Sequence, residues 1–387
     1  MKKKVAAKQK DTGRISAGEV EQLLVRSFGE NAAVTADKAN ALEVSYFSSG
    51  AYGLDFELGG GWPRNRVIEL FGPESAGKST LLLITIAAFQ QDFPEGEAWI
   101  VDYERTHTIA YASRFGVDLT RLHILSPDCG EQGMEMCMTI CNQAAEETLL
   151  AVDSIAMMTP TKELEQEPEK QTPGSHARLI HKFMRGFLAR TRVSMYDSDA
   201  PCFTAICLNQ VRDNIGVMFG NPETTPGGRG MRFTPSMRVR LASNKTGYEG
   251  TKIIKGGVTR ELQTGQVTTF TVHKNKAGGA KGASGEYRLK YNVMAGSPCA
   301  VDNGPALLSY GLFHEVIQPL SARQFHYPTY DFTGSKQDFF DVFDNQPEVA
   351  LDLRKEILDA MAEARQTNEE PIGETIVGEE PSEIVTG

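Results

Sequence analysis

The sequence predicts an α/β protein whose central sheet is mostly parallel. Between residues 44 and 270, short apolar runs alternate with helical patterns, and the hairpin turns of an all-β protein do not separate them. One of these runs also leads directly into a glycine-rich segment that opens a helix. The apolar runs that predict strands are Arg66–Phe71, Ala98–Val101, Leu122–Leu125, Leu149–Val152 and Cys202–Leu208.

Helices and later strands complete this arrangement. Ser79–Gln90 and Glu131–Glu146 carry apolar residues at helical spacing between predicted strands. Three later strands have tighter connections, which predicts an antiparallel edge to the sheet. These later strands are Met237–Leu241, Gln266–Val272 and Glu286–Leu289. Amphipathic helices are predicted outside the core at Ser16–Phe28 and Pro347–Ala364.

Length, charge and hydropathy narrow the functional class. The chain has 387 residues and a net charge of −10, so nucleic-acid binding would require a local basic surface. No apolar run reaches the roughly 18 residues that span a membrane, and the basic start lacks the apolar segment of a signal peptide. These features predict a cytoplasmic protein that does not bind membranes. The six cysteines form no CxxC pair, which favours reduced thiols over a metal site.

We expect four segments along the chain. Residues 1–43 combine a basic start with a helix that is too short to be stable alone. Residues 44–292 form the α/β core, and residues 293–365 form a smaller α+β domain. Residues 366–387 carry six glutamates without lysine or arginine, which predicts a disordered acidic tail.

The glycine-rich segment fits the pattern G-x-x-x-x-G-K-[ST] at every fixed position. Glycines let such a loop turn its backbone N–H groups toward phosphate oxygens, and the following helix adds its positive dipole end. The lysine would neutralise phosphate charge and the serine hydroxyl would reach Mg²⁺. The pattern therefore predicts a nucleoside triphosphate site. Its residues are Gly72, Pro73, Glu74, Ser75, Ala76, Gly77, Lys78, Ser79 and Thr80.

Polar residues at the ends of other predicted strands favour a complete hydrolytic site. Asp153 follows the apolar run Leu149–Val152 and would hold Mg²⁺ through water. Glu104 lies just past another strand, where it could act as a general base; the alternative is an ordinary glutamate of an exposed loop. Gln210 ends a third strand, and its neutral amide could sense the terminal phosphate.

Four segments in this order resemble the RecA family of DNA recombinases. The most specific is Asn214–Thr225, with the sequence NIGVMFGNPETT, which is nearly identical to the second DNA-binding loop of bacterial members. Gly72–Ser75, Val152–Ser154 and Lys274–Lys276 fall where the family has its counterparts. The resemblance covers about 50–364, and the divergence elsewhere suggests a phage-encoded member.

The resemblance implies a RecA-type P-loop ATPase core that uses ATP and Mg²⁺. It also implies a helical filament of protomers on DNA, with ATP at the interfaces between them. Glu104 is then the catalytic base, Tyr111 stacks on adenine, and Ser79 and Asp153 hold the metal through water. Lys274 and Lys276 reach the ATP of the neighbouring protomer, and their spacing on a strand would place both on one face. The alternative for this pair is a solvated basic edge.

Further contacts are implied for this filament. Lys78 and Gln210 complete the catalytic set, Arg232 and Phe233 match interface positions, and Ser16–Phe28 packs on a neighbouring protomer or on its own core. Glycines and apolar groups of the second loop suit close contact with a DNA backbone and insertion between bases. The DNA-binding residues implied are Arg212, Ile215, Gly216, Met218, Phe219, Asn221, Gly227, Gly228, Arg229, His176 and Lys182.

The first DNA loop, expected within 166–176, departs from the family. It is longer and richer in proline than usual. Ala177 stands where relatives often have a methionine, Lys182 stands at an arginine position, and Thr108 replaces an aspartate that touches adenine. These changes concern loop contacts and adenine selectivity, whereas the residues of the hydrolytic chemistry are intact.

The function implied is a DNA-dependent ATPase that polymerises on single-stranded DNA and catalyses homologous pairing and strand exchange with double-stranded DNA. Loading or mediator proteins would be additional partners. Two alternatives remain open at this point. A ring helicase could use the same core, although it gives no reason for the 214–225 loop. A filament protein without ATP chemistry is disfavoured by the intact Lys78, Ser79, Glu104 and Asp153.

Overall fold

A nine-stranded sheet forms the centre of the protein, as the computed structural model shows it. The structure describes residues 15–29, 32–33, 44–165, 174–194, 201–213, 223–255, 258–291 and 300–367. Residues 368–387 of the predicted acidic tail and most of the two predicted DNA loops therefore lie outside the described residues; the first two residues of that tail belong to the last helix. The strands of the sheet are β3 (Val67–Gly72), β4 (Glu97–Asp102), β5 (Leu122–Leu125), β6 (Thr148–Asp153), β7 (Phe203–Gln210), β10 (Met237–Lys255), β11 (Val258–Asn275), β12 (Ser284–Lys290) and β13 (Ala300–Asp302).

The order of these strands confirms the predicted α/β class. It runs β13-β12-β11-β10-β3-β7-β6-β4-β5, and the pairs from β10 through β5 are all parallel. The pairs β10/β11, β11/β12 and β12/β13 are antiparallel, as the tight connections predicted. The first of them forms a long hairpin, because β10 and β11 extend well beyond the other strands.

Helices cover both faces of the sheet, and shorter strands lie around it. No described helix is long and apolar enough to cross a membrane. The helices are α1 (Ala17–Phe28), α2 (Tyr52–Leu58), α3 (Lys78–Asp92), α4 (Ile109–Ser113), α5 (Gly130–Gln143), α6 (Thr161–Glu165), α7 (Ser175–Ser194), α8 (Gly228–Phe233), α9 (Gly304–Phe313), α10 (Lys336–Asn345) and α11 (Pro347–Thr367). The remaining strands are β1 (Tyr46–Phe47), β2 (Trp62–Pro63), β8 (Arg212–Asp213), β9 (Glu223–Thr224), β14 (Gln318–Ser321), β15 (Gln324–Tyr327) and β16 (Phe332–Gly334).

Alternate residues of each central strand enter two different cores, which explains the nearly continuous apolar runs of the sequence. On β6, Leu149 and Ala151 face the core that contains α3, whereas Leu150 and Val152 face the core beneath α7. Cys137 and Cys207 are buried in this second core, and burial raises the pKa of both thiols.

A third core lies in the C-terminal region and is joined to the sheet by a buried ion pair. Asp55 of α2 has a fully buried side chain and accepts a 2.8 Å bond from Nη2 of Arg354 in α11. Ser48 Oγ and the Ser49 N–H also donate to this carboxylate, at 2.7 and 2.8 Å. Because each charge is removed from water, each depends on its partner. The pair thus fixes the last helix against the start of the core.

The terminal helix α1 begins as the sequence predicted. Ser16 caps it and exchanges hydrogen bonds with Glu19 in a capping box. None of its residues is buried, and Val20, Leu23 and Phe28 are exposed. Intramolecular docking of this helix, one of the two alternatives, is therefore not seen among the described residues.

Replacing Arg354 with leucine should destabilise the protein by about 3–5 kcal/mol near neutral pH, because it leaves the buried Asp55 carboxylate unpaired. Without the guanidinium the pKa of Asp55, which burial already raises, should rise further. The deficit should therefore be smallest at acid pH, where this carboxyl is neutral, and should grow as pH rises. Urea unfolding of the wild type and the variant at pH 5 and pH 8 measures this loss of unfolding free energy. Exposed Lys355→Leu, on the same helix, is the control; equal deficits at both pH values would contradict the prediction.

Candidate nucleotide site and adjoining loops

The glycine-rich loop joins the central strand β3 to the helix α3. Gly77 has a φ of 86° at the start of this helix, a left-handed conformation that glycine adopts without strain. A Cβ on Gly72 would lie 2.1 Å from the carbonyl oxygen of Leu241 in β10, so no other residue fits there. Both fixed glycines of the pattern are thus required by local geometry, independently of any ligand.

Lys78 lies across this loop. Its Nζ donates to the carbonyl oxygens of Gly72 and Pro73, at 3.1 and 2.7 Å. Burial lowers the pKa of this ammonium, while Asp153 and Glu104 oppose that shift. The charge is therefore held at the loop by weak acceptors that a phosphate could replace.

Asp153 and Ser79 meet beside the loop, as predicted for a magnesium site. Ser79 Oγ donates to Asp153 Oδ2 at 2.9 Å, although the two residues come from α3 and from the end of β6. The next residue of the helix, Thr80, shares a 2.9 Å hydrogen bond between its Oγ1 and the Tyr111 hydroxyl. A cation, a hydroxyl and a carboxylate beside a glycine-rich loop at the start of a helix are the groups that MgATP requires.

Glu104 is brought into the site by the turn after β4. Its Oε1 accepts bonds from Ser154 Oγ at 2.5 Å and from Gln210 Nε2 at 3.1 Å. These donors stand at the ends of two other strands, β6 and β7. Glu104 is half-buried, so it differs from the free loop glutamate that was the alternative interpretation.

The same turn carries two residues that sequence reasoning missed. The Asp102 carboxylate accepts the backbone N–H groups of Arg105 and His107, at 2.6 and 3.1 Å, and closes the turn. His107 Nε2 then lies 2.9 Å from Asp153 Oδ2. Burial lowers the pKa of His107, but the hydrogen bond and the charge of Asp153 raise it. The pKa of His107 therefore lies above its ordinary value. A single histidine in a polar segment gives no signal by which the sequence could have identified it.

A buried carboxylate lies below Gln210. Glu69, in the middle of β3, has no exposed side-chain surface and forms an ion pair with Arg238 Nε of β10. It also accepts a 2.9 Å bond from Asn209 Nδ2 of β7. Burial raises the pKa of Glu69, and Arg238 opposes this shift. The sequence did offer a signal here, because Glu69 interrupts an otherwise apolar strand.

This network holds both ends of the second predicted DNA loop. At the start, Asn209 Nδ2 donates to the carbonyl of Pro226 at 3.0 Å, and Arg212 pairs with Thr224 in the ribbon β8/β9. At the end, Arg238 Nη2 reaches Thr225 Oγ1 at 3.4 Å. Ile215, Gly216, Met218, Phe219 and Asn221 lie outside the described residues.

The ends of the two predicted DNA loops lie side by side. A Cβ on Gly228, at the start of α8, would be 3.6 Å from the Cβ of Ala177 near the start of α7. Gly228, Arg229 and Lys182 are exposed, whereas Gly227 is buried against Ile180. The close approach that Gly227 permits is thus one within the protein. His176 Nε2 lies 3.2 Å from the carbonyl of Ile155, just beyond Ser154.

Arginines surround a cleft at the base of these loops. The cleft has a volume of about 280 Å³. Arg229, Arg232 and Arg238 line it, together with His273 and Phe71. Glu223 also lines the cleft, and the three arginines leave its lining with a net positive charge in a chain of net charge −10.

The two lysines of the 274–276 segment are placed differently. Lys274 Nζ donates to the carbonyls of Arg232 and Phe233, at 3.3 and 2.8 Å, and burial with nearby Lys276 and Arg238 lowers its pKa to about 8. Strand β11 ends at Asn275, so Lys276 lies beyond it and is exposed. Strand β11 thus ends between the two lysines, yet Lys276 is near enough to Lys274 to lower its pKa. That both side chains lie on one face stays a prediction.

Known proteins share this sequence over most of the core. The RecA N-terminal domain model matches residues 18–277. The chain is 36% identical over 258 residues to Protein RecA of Lactococcus lactis subsp. cremoris (strain MG1363). That alignment covers 66% of this chain and 62% of that protein. It is 32% identical over 333 residues to Protein RecA of Clostridium novyi (strain NT). That alignment covers 86% of this chain and 87% of that protein. A match of this extent, over the sheet and loop just described, shows that the chain belongs to the RecA family.

Proposed function

We propose that this chain hydrolyses ATP in response to single-stranded DNA, and that it forms filaments on that DNA and exchanges strands. The observation that carries the proposal is the 3.1 Å bond from Gln210 Nε2 to Glu104 Oε1. Gln210 is the last residue of β7, and Arg212 already belongs to the ribbon that leads into the 214–222 segment. One amide therefore links the carboxylate of hydrolysis to the segment expected to contact DNA.

Each residue of the nucleotide site has a role in this proposal. Lys78 would exchange its loop carbonyls for phosphate oxygens, and Ser79 and Asp153 would hold the magnesium ion through its water. Magnesium, when bound, supplies positive charge that stabilises the phosphate oxygens. Glu104 would accept a proton from the attacking water, and Ser154 and Gln210 orient that carboxylate. Tyr111, which Thr80 holds beside the loop, would stack on adenine.

The DNA would lie where the two predicted loops converge. Arg212, Arg229 and Lys182 are exposed there, and the cleft between the ribbon β8/β9 and α8 is lined with arginine. Backbone phosphates are the chemical group that such cations recognise, without reading base sequence. Sequence would then be tested by pairing between the strands. Double-stranded DNA would be the second substrate.

Filament formation would use apolar surface that the single chain leaves exposed. Helix α1 exposes Val20, Leu23 and Phe28, and Phe233 at the end of α8 is 69% exposed. An apolar face of this kind is stabilised when another surface covers it. We propose that neighbouring protomers cover these faces, and that Lys274 and Lys276 then approach the nucleotide of the next protomer.

Changing Lys78 to alanine should reduce ATP hydrolysis by at least about 100-fold, because it removes the main positive charge from the phosphate site. The rate should be measured with and without single-stranded DNA, by phosphate release. The exposed Lys162→Ala is a matched control and should behave like the wild type. A wild-type rate that DNA does not raise would refute the proposed function, and so would an active Lys78→Ala.

Changing Gln210 to alanine should uncouple the rate of ATP hydrolysis from DNA binding. The variant keeps Lys78, Ser79, Asp153 and Glu104, but it lacks the amide that joins Glu104 to the DNA loop. We expect the ratio of ATPase rates with and without single-stranded DNA to fall toward one. Gln324→Ala, an exposed amide in β15, serves as the control. Full stimulation of Gln210→Ala by DNA would show that the signal takes another route.

A further inference from the structure

A histidine shares the carboxylate that is expected to hold magnesium. His107 Nε2 lies 2.9 Å from Asp153 Oδ2, and the two side chains are only 4% and 3% exposed. An ionised carboxylate can only accept hydrogen bonds, so Nε2 carries the hydrogen in this pair. A hydrogen bond of this kind is stronger in a buried site than in water, because little solvent competes for it.

Two donors converge on one oxygen of Asp153. Ser79 Oγ, from α3, and His107 Nε2, from the turn after β4, both donate to Oδ2 at 2.9 Å. Within the part of the chain that the structure describes, Oδ1 receives no hydrogen bond. Donors that arrive from two elements fix the rotation of the carboxylate, and they leave Oδ1 available to a metal-bound water.

The turn that delivers His107 also delivers Glu104. Asp102 closes this turn by accepting the N–H groups of Arg105 and His107, and Arg105 has a φ of 56°. Glu104 then accepts from Ser154, while His107 donates to Asp153. The 102–107 turn is therefore attached to two consecutive residues at the end of β6. Any displacement of the turn would move both the general base and the donor to the metal carboxylate.

We propose that His107 is a positioning residue of the nucleotide site, which orients Asp153 toward magnesium and aligns the Glu104 turn with that carboxylate. The inference rests on the proposed function, because it assumes that Asp153 serves a magnesium nucleotide. A histidine that only stabilised the fold would change the unfolding temperature and leave the magnesium requirement unaltered.

The magnesium requirement of nucleotide binding tests this role without using hydrolysis. A fluorescent ATP analogue is titrated at increasing Mg²⁺, and the Mg²⁺ concentration for half-maximal binding is compared between variants. A hydrogen bond to a charged group contributes enough that His107→Leu should raise this concentration roughly tenfold or more. His107→Gln should restore most of the affinity, because its amide nitrogen can donate from nearly the same position as Nε2.

A second histidine of the chain provides a matched control. His123 Nε2 lies 2.8 Å from Glu97 Oε2 at the β4/β5 edge of the sheet. His123→Leu removes the same kind of pair away from the nucleotide site and should leave the magnesium requirement unchanged. If His107→Leu does not fold, as judged by circular dichroism, His107→Asn replaces it, because the shorter amide cannot reach Oδ2.

The outcomes separate this inference from the function on which it rests. A folded His107→Leu with the wild-type magnesium requirement would overturn the inference and leave the proposed function intact. Equal losses in His107→Leu and His107→Gln would also overturn it, because the hydrogen-bond donor would then not matter. A wild-type protein that binds the analogue without Mg²⁺ dependence would refute the magnesium site itself.

Discussion

The burial of one negative charge constrains the centre of this protein. Glu69 lies in the middle of the central strand, where its carboxylate must be paired because water cannot reach it. Arg238 and Asn209 pair with it, and each comes from a strand next to β3. The same two residues also bond to Pro226 and Thr225 at the end of the 211–225 segment, and Asn209 itself lies just before the start of that segment. A requirement of the core thus determines where the loop nearest the nucleotide site begins and ends.

The proposed nucleotide site depends on the geometry of parallel strands. Side chains at the carboxyl ends of β4, β6 and β7 reach one another because these strands end at the same edge of the sheet. Short polar contacts then connect these strand ends: His107 to Asp153 and Ser154 to Glu104 join β4 to its neighbour β6, and Glu104 to Gln210 joins β4 to β7 across β6. From Asp153 and the adjacent Ser154, a change would reach Gln210 through two hydrogen bonds, Ser154 to Glu104 and Glu104 to Gln210. This arrangement offers a physical route for the proposed coupling between nucleotide and DNA.

Much of the fold followed from periodicity and local chemistry. The strand Leu122–Leu125 was predicted with the bounds that the structure has, and α1 lies within the predicted helix 16–28. The long β10/β11 hairpin was predicted only as two short strands. Among the outer side chains that the structure describes, Ile254 and Val258 are exposed, so burial imposes no apolar pattern on them. The sequence likewise does not show that β11 ends at Asn275, between Lys274 and Lys276.

The sequence by itself determined the phosphate loop, the identity of Asp153 as a strand-end carboxylate, and the family, because each depends on residues that are adjacent in the chain. Only the tertiary structure revealed the contact of Gln210 with Glu104, the pairing of Glu69, and the position of His107 against Asp153. These contacts join residues 46 to 169 positions apart. Spacing along a chain carries no information about such pairs, because the order of strands in the sheet decides which ends become neighbours.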